Sequence, residues 1–266
     1  TTISVGNWHH IVVTGISLNI TECIIIGARY NYVQFFNGEM SQVGLWNSTL
    51  TADEVSSLYN HGLPIDLTTN QAAYESSSNL VGYWRMGSGT LDTYPLIADQ
   101  TNATLSAEYV KNGDFSNGLT DWSFTGAASG YQELTANGIK MYAGSVSDAN
   151  NALSTSATLN LAGTLGKTYK IEITASDFIN GTAGFVRLDG IYDGSNIISF
   201  VTGTQTVYFT AYRDFTFIQF FAGSANAFIT VKNISIKEVG GNPAIMINLG
   251  GGADFSDGIQ NGSPYA

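Results

Sequence analysis

Eight consecutive residues, Tyr169 to Ser176, constrain the fold more than any other stretch. Tyr169, Ile171, Ile173 and Ala175 alternate without a break with Lys170, Glu172, Thr174 and Ser176. A period of two puts the apolar set on one side of an extended strand and the polar set on the other, so one face is buried and the other is wet. That is the pattern of an antiparallel sheet packed on one side. Val207, Phe209 and Ala211, then Phe215 and Phe217, repeat it. Phe228 to Val239 follows it too, except that the apolar phase slips by one residue at Lys232-Asn233, which predicts a β-bulge there. Glycine, at 30 of 266 residues, is abundant and charged residues make up only 12%, which argues against long helices, while 44% hydrophobic residues supply enough apolar surface for packed cores. The sequence therefore predicts an all-β protein.

One segment breaks the pattern. Thr51 can cap a first helical turn, Glu54 three residues later can complete a capping box, and Leu50 and Val55 are spaced as a hydrophobic staple. Val55, Leu58 and Tyr59 form an apolar stripe, Gly62 supplies a stop, and Pro64 prevents a restart. A single helix of about ten residues is expected between Leu50 and Gly62. Trp8, Trp46, Trp84 and Trp122 are evenly spaced, but their flanking residues share nothing, so the spacing is not an internal repeat.

Several function classes are excluded. The formal charge of −11 gives a field that repels phosphates, and no basic stripe opposes it, so nucleic acid is not an expected partner. No apolar run approaches the roughly 18 residues of a helical membrane span, so membrane insertion is not expected. Cys23 is the only cysteine and excludes an internal disulfide. The three histidines, His9, His10 and His61, show no metal-binding spacing, and no nucleophile elbow, phosphate loop or dinucleotide fingerprint occurs. Asp53-Glu54 is the only adjacent acidic pair, and capping already accounts for Glu54. The chain reads as non-enzymatic, and its start at Thr1 without a signal-peptide pattern reads as a processed chain or a piece of a longer one.

At a domain size near 150 residues the length predicts about two domains. The Gly-, Thr-, Asp- and Asn-rich stretch 87–104 reads as a connection, giving a first module over 1–108, a second over 109–239 and a C-terminal extension over 240–266. The apolar run Pro243 to Leu249 in that extension is suited to adding a strand to a neighbour's sheet edge.

Gly6-Asn7-Trp8-His9-His10-Ile11-Val12-Val13-Thr14, then Phe36 to Trp46, then Leu50 to Gly62 resemble, in order, the second half of a laminin-G-like (concanavalin-A-like) jelly roll, in shortened form. Val110-Lys111-Asn112-Gly113-Asp114-Phe115, Leu119-Thr120-Asp121-Trp122, Gly166-Lys167-Thr168-Tyr169 and Ile229 to Ile236 resemble a galactose-binding-like jelly roll of the carbohydrate-binding-module kind. The tandem is similar to virion surface and fibre proteins of tailed bacteriophages. Together these resemblances imply two antiparallel β-sandwich (jelly-roll) modules with one short helix.

The second resemblance also implies a structural calcium held by an Asp of the first strand and another Asp of the last. Asp114 matches the first position, but Lys232 stands at the second, where an ammonium group repels the ion; the expectation is no cofactor and a Lys232–Asp114 ion pair in its place. For glycan binding, such modules use exposed aromatic faces and planar polar groups. Tyr131, Tyr142 and Tyr192, with Arg187 as a hydrogen-bonding fork, occupy the middle strands and loops where the resemblance implies a site, while Phe115 and Trp122 read as core. The resemblance implies a structural virion protein at the particle surface, partnered by other virion proteins or by itself and touching a cell-surface glycan weakly. The alternative is a secreted, extracellular polysaccharide-binding module or an accessory part of a glycan-degrading enzyme.

Overall fold

The structure is a computed structural model that describes residues 4, 6–16, 25–29, 33–36, 38–125, 131–142, 152–155, 163–179, 185–188, 202–211, 213–216, 218–221 and 228–246. Its elements run β1 (Ala28–Arg29), β2 (Val33–Phe35), β3 (Val43–Trp46), α1 (Ala52–Tyr59), β4 (Leu80–Trp84), β5 (Leu96–Ile97), β6 (Trp122–Thr125), β7 (Tyr131–Thr135) and β8 (Gly138–Tyr142). They continue with β9 (Ala152–Thr155), β10 (Thr168–Ile179), β11 (Phe185–Leu188), β12 (Gly203–Thr210), β13 (Ile218–Phe221), β14 (Phe228–Val239) and β15 (Ala244–Ile245). Among the described residues the fold is all-β, with antiparallel sheets, one short α-helix and two single 3-10 turns. The chain divides into two compact units, Thr1–Ala103 with Gly241–Ala266, and Thr104–Gly240.

In the first unit the described strands form the antiparallel pairs β1–β2, β3–β4 and β5–β15. Helix α1 begins as expected: the Thr51 hydroxyl accepts the Glu54 amide, and the Glu54 carboxylate accepts the Thr51 amide at 2.8 Å. It ends sooner than Gly62. Asn60 takes the left-handed conformation and caps the last turn through its own amide, because asparagine tolerates positive φ better than most residues. The stretch 87–103, read from sequence as an irregular connection, is tightly bonded. Asp92 accepts the amides of Gly87, Gly89 and Ala98, and fully buried Asp99 accepts those of Tyr83, Thr101 and Asn242.

The expected extension 240–266 does not stand apart at its beginning. Ala244 and Ile245 pair with Ile97 and Leu96, and the Trp84 indole N–H donates to the Asn242 carbonyl at 2.9 Å. The strand available to a neighbour is thus paired within its own unit through residue 245; residues 247–249 of the run lie outside the described residues.

The second unit is a sandwich of a five-stranded sheet, ordered β12-β10-β14-β8-β7, and a four-stranded sheet, ordered β11-β13-β9-β6. The alternation read from sequence sets its core: Tyr169, Ile171, Ile173 and Ala175 of β10 are buried with Ile139 and Met141 of β8 and Ile229, Val231, Ile234 and Ile236 of β14. Trp122, from the four-stranded sheet, joins the same cluster, as do Phe115 and Phe215. Phe217 lies outside the described residues. The unit begins at Thr104, ahead of the expected 109, because residues 105–109 line the edge of β14: the Ser106 amide donates to Glu238 and the Tyr109 amide to Ile236.

The bulge forms where the phase slips. Asn233 pairs with Thr174 and Val231 with Ala175, so Lys232 has no partner, and Lys232 and Asn233 are both exposed. A second slip on β10 skips Ser176, between Ala175 and Asp177.

Candidate functional site

Strand parity defines the solvent face of the five-stranded sheet. Ile139 and Met141 of β8 enter the core, so Lys140 and Tyr142 face outward. Their partners on β7 are Glu133 and Tyr131, and on β14 Thr230 and Phe228, of which Thr230 is buried and not open to solvent. Phe228 reaches this face only because of the bulge: unbroken alternation back from Ile236 and Ile234 would send residues 230 and 228 inward and 229 and 231 outward.

Three aromatic residues consequently stand side by side across β7, β8 and β14. The Tyr131 and Tyr142 ring centroids are 4.9 Å apart with a 32° tilt, and Tyr131, on the edge strand, is 46% exposed. The Lys140 ammonium lies 3.9 Å from the centroid of the Phe228 ring. Glu133 sits directly opposite Lys140 in register, yet among the described residues no carboxylate comes within 4 Å of that ammonium. Across the same face toward β12 the surface turns polar. Lys170 pairs with Glu172 at 3.0 Å, and the Thr174 and Thr204 hydroxyls are 2.9 Å apart. An aromatic end that can stack on a flat apolar surface thus adjoins a field of hydroxyl and charged groups that can hydrogen-bond.

The residues selected from the sequence are distributed unevenly. Tyr131 and Tyr142 are brought into ring contact. Arg187 lies on β11, the edge strand of the four-stranded sheet, and therefore belongs to the other layer. Tyr192 lies outside the described residues. Sequence reasoning missed Lys140, Glu133 and Phe228; the alternation about Ile139 and Met141, with the slip at Lys232, held the signal.

The expected Asp114–Lys232 ion pair does not form. Asp114 turns to its own loop, where one carboxylate oxygen accepts the Ser116 amide at 3.1 Å and the Ser116 hydroxyl at 2.9 Å, and these bonds hold its carboxyl below the ordinary aspartate value. Ion pairs among the described residues include Lys167–Glu238 and Lys170–Glu172, and no three described His, Cys, Asp or Glu side chains gather as a metal site. Phe115 and Trp122 pack together in the core at 5.2 Å.

No family model and no curated protein matches the chain. Solved structures similar to it are carbohydrate-binding modules. A CBM4 module is 16% identical, covering 47% of this chain and 99% of its own, with a TM-score of 0.38. The second N-terminal cellulose-binding domain of Cellulomonas fimi β-1,4-glucanase C is 14% identical over 50% of this chain and 95% of its own, with a TM-score of 0.36. A CBM61 module in complex with β-1,4-galactotriose is 13% identical over 49% and 98%, with a TM-score of 0.32.

Proposed function

We propose that the second unit is a non-catalytic polysaccharide-binding module and that its site is the outward face of β7, β8 and β14. The observation that supports this most directly is the Tyr131–Tyr142 ring pair, held on the edge of a rigid sheet with one member 46% exposed. Aromatic rings spend little conformational entropy when they bind, and the pyranose C–H face is a flat apolar partner for them. The adjoining row of threonine hydroxyls and ionic groups supplies donors and acceptors for sugar hydroxyls. This reverses the order of the two readings drawn from the sequence: polysaccharide recognition comes first, and no feature of the described residues favours a structural virion role. On this reading the protein works outside the cell, free or displayed on a larger assembly.

Calorimetric titration against a panel of soluble neutral and acidic polysaccharides tests the proposal. Binding of at least one polysaccharide is expected, weakened roughly fivefold by Tyr131→Ala and again by Tyr142→Ala, corresponding to about 1 kcal/mol per ring. Binding that survives both substitutions unchanged would place the site elsewhere.

A further inference from the structure

Resting on that reading, we infer that the ligand is a sparsely acidic glycan, a chain of mostly neutral sugars in which an occasional uronate carboxylate meets the Lys140 ammonium while a neighbouring ring stacks on Tyr131 and Tyr142. The ammonium sits over the Phe228 ring at 3.9 Å, so that ring face is taken and stacking falls to the tyrosines. A lysine opposite a glutamate in register would ordinarily pair with it. Here Glu133 is the partner across the strands, yet among the described residues the ammonium has no carboxylate within 4 Å, which leaves its charge for an anionic ligand group.

The charges beside Lys140 decide how acidic the ligand is: the unit that carries it has 11 Asp+Glu against 8 Lys+Arg, a net of −3, and Glu133 lies directly opposite the lysine. The Lys140 ammonium acts on one carboxylate at contact distance, whereas the further carboxylates of a dense polyanion meet Glu133 within roughly a Debye length of 8 Å at physiological salt. A single spaced carboxylate collects the contact and avoids most of the repulsion.

Oligosaccharides of gellan, in which neutral sugars separate each glucuronate, test this against the same oligosaccharides with their carboxyl groups reduced to alcohols. Polygalacturonate oligomers and the neutral panel serve as further probes. The native gellan probe is expected to bind about tenfold more tightly than its reduced form, as suits one charge-assisted hydrogen bond, with the gap narrowing as salt rises. Lys140→Gln removes the gap, while Lys111→Gln, an equal change in net charge at an exposed position of the same unit, keeps it. Glu133→Gln strengthens binding of the native probe by removing a like charge beside the ligand carboxylate. Equal binding of native and reduced probes, a gap that persists in Lys140→Gln, or tighter binding of polygalacturonate would overturn this inference, while binding lost on Tyr131→Ala would still uphold the glycan reading. Silence toward every saccharide would overturn both.

Discussion

Asp99 ties the C-terminal segment into the first unit, and removing its carboxylate should release that segment. The side chain is fully buried. One oxygen accepts the Tyr83 amide at 3.0 Å, the Thr101 amide at 3.0 Å and the Thr101 hydroxyl at 2.8 Å; the other accepts the Asn242 amide at 3.0 Å. Asp99→Ala leaves three backbone N–H groups without their acceptor, each costing about 1 to 3 kcal/mol when it stays dry. Allowing for water entering the space, the loss is about 3 to 6 kcal/mol, a large share of the 5 to 15 kcal/mol that holds a typical domain. Asp99→Asn is more selective. It can keep the Tyr83 and Thr101 bonds through its carbonyl oxygen, but it turns an N–H₂ group toward the Asn242 amide, and should cost about 2 kcal/mol. Thermal melts give the size, with a drop of roughly 3 to 5 °C per kcal/mol for a unit of this length. Amide hydrogen exchange gives the location: in the asparagine variant the Asn242 amide should exchange much faster while Tyr83 stays protected. Melting of both variants within a degree or two of wild type would refute the argument that this carboxylate organises the unit.

Gly138→Ala should cost about 2 to 4 kcal/mol and weaken saccharide binding with it. Gly138 has φ +118°, and a Cβ there would collide with the Val231 carbonyl, so the β7–β8 hairpin that carries Tyr131 and Tyr142 would have to shift; denaturant unfolding and the titration above check both effects. Glu54 supplies a pH signature. Hydrogen bonds from Ser76, Thr51 and Glu75 lower its pKa from 4.5 to about 2. Because the folded value is the lower one, the stabilisation is complete above about pH 4.5 and is lost as pH falls toward 2. The stability gap between wild type and Glu54→Gln should therefore close across that window, and a gap that widens toward acid would contradict the assignment.

The parts of the fold that depend on neighbours in sequence could be read in advance. Alternation from Tyr169 to Ser176 fixed which side of β10 is buried, and Thr51 with Glu54 fixed where α1 begins, because both rest on spacings within one strand or one turn. Where α1 ends was misread: Asn60 and Gly62 can each adopt positive φ, and local chemistry does not rank them decisively. The return of residues 241–246 to the first unit was hidden for a different reason. It depends on Asp99 and Trp84 finding Asn242 across some 140 to 160 residues, and a two-residue strand has no periodicity to detect. Strand order was equally invisible, which is why Arg187 was grouped with tyrosines that belong to the opposite layer.

The site lies between these cases, and one backbone irregularity explains why. Tyr131 and Tyr142 needed only a tight hairpin through Ala136-Asn137 to face one another, a short-range event. Phe228 and the ring it offers to Lys140 needed β14 to change phase at Lys232. Two adjacent polar residues in an otherwise alternating strand recorded that change in the sequence, but its consequence became visible only with β8 alongside. Deleting Lys232 would leave Asn233 opposite Thr174 and Val231 opposite Ala175 with no bulge between them, so Ile236, Ile234, Val231 and Ile229 should stay in the core, Phe228 should stay on the outer face, and the aromatic row should survive. The bulge therefore absorbs the extra residue at Lys232 without driving Ile229 and Val231 out of the core or Phe228 off the outer face, whereas a β14 that kept Lys232 but ran as a regular strand would lose both.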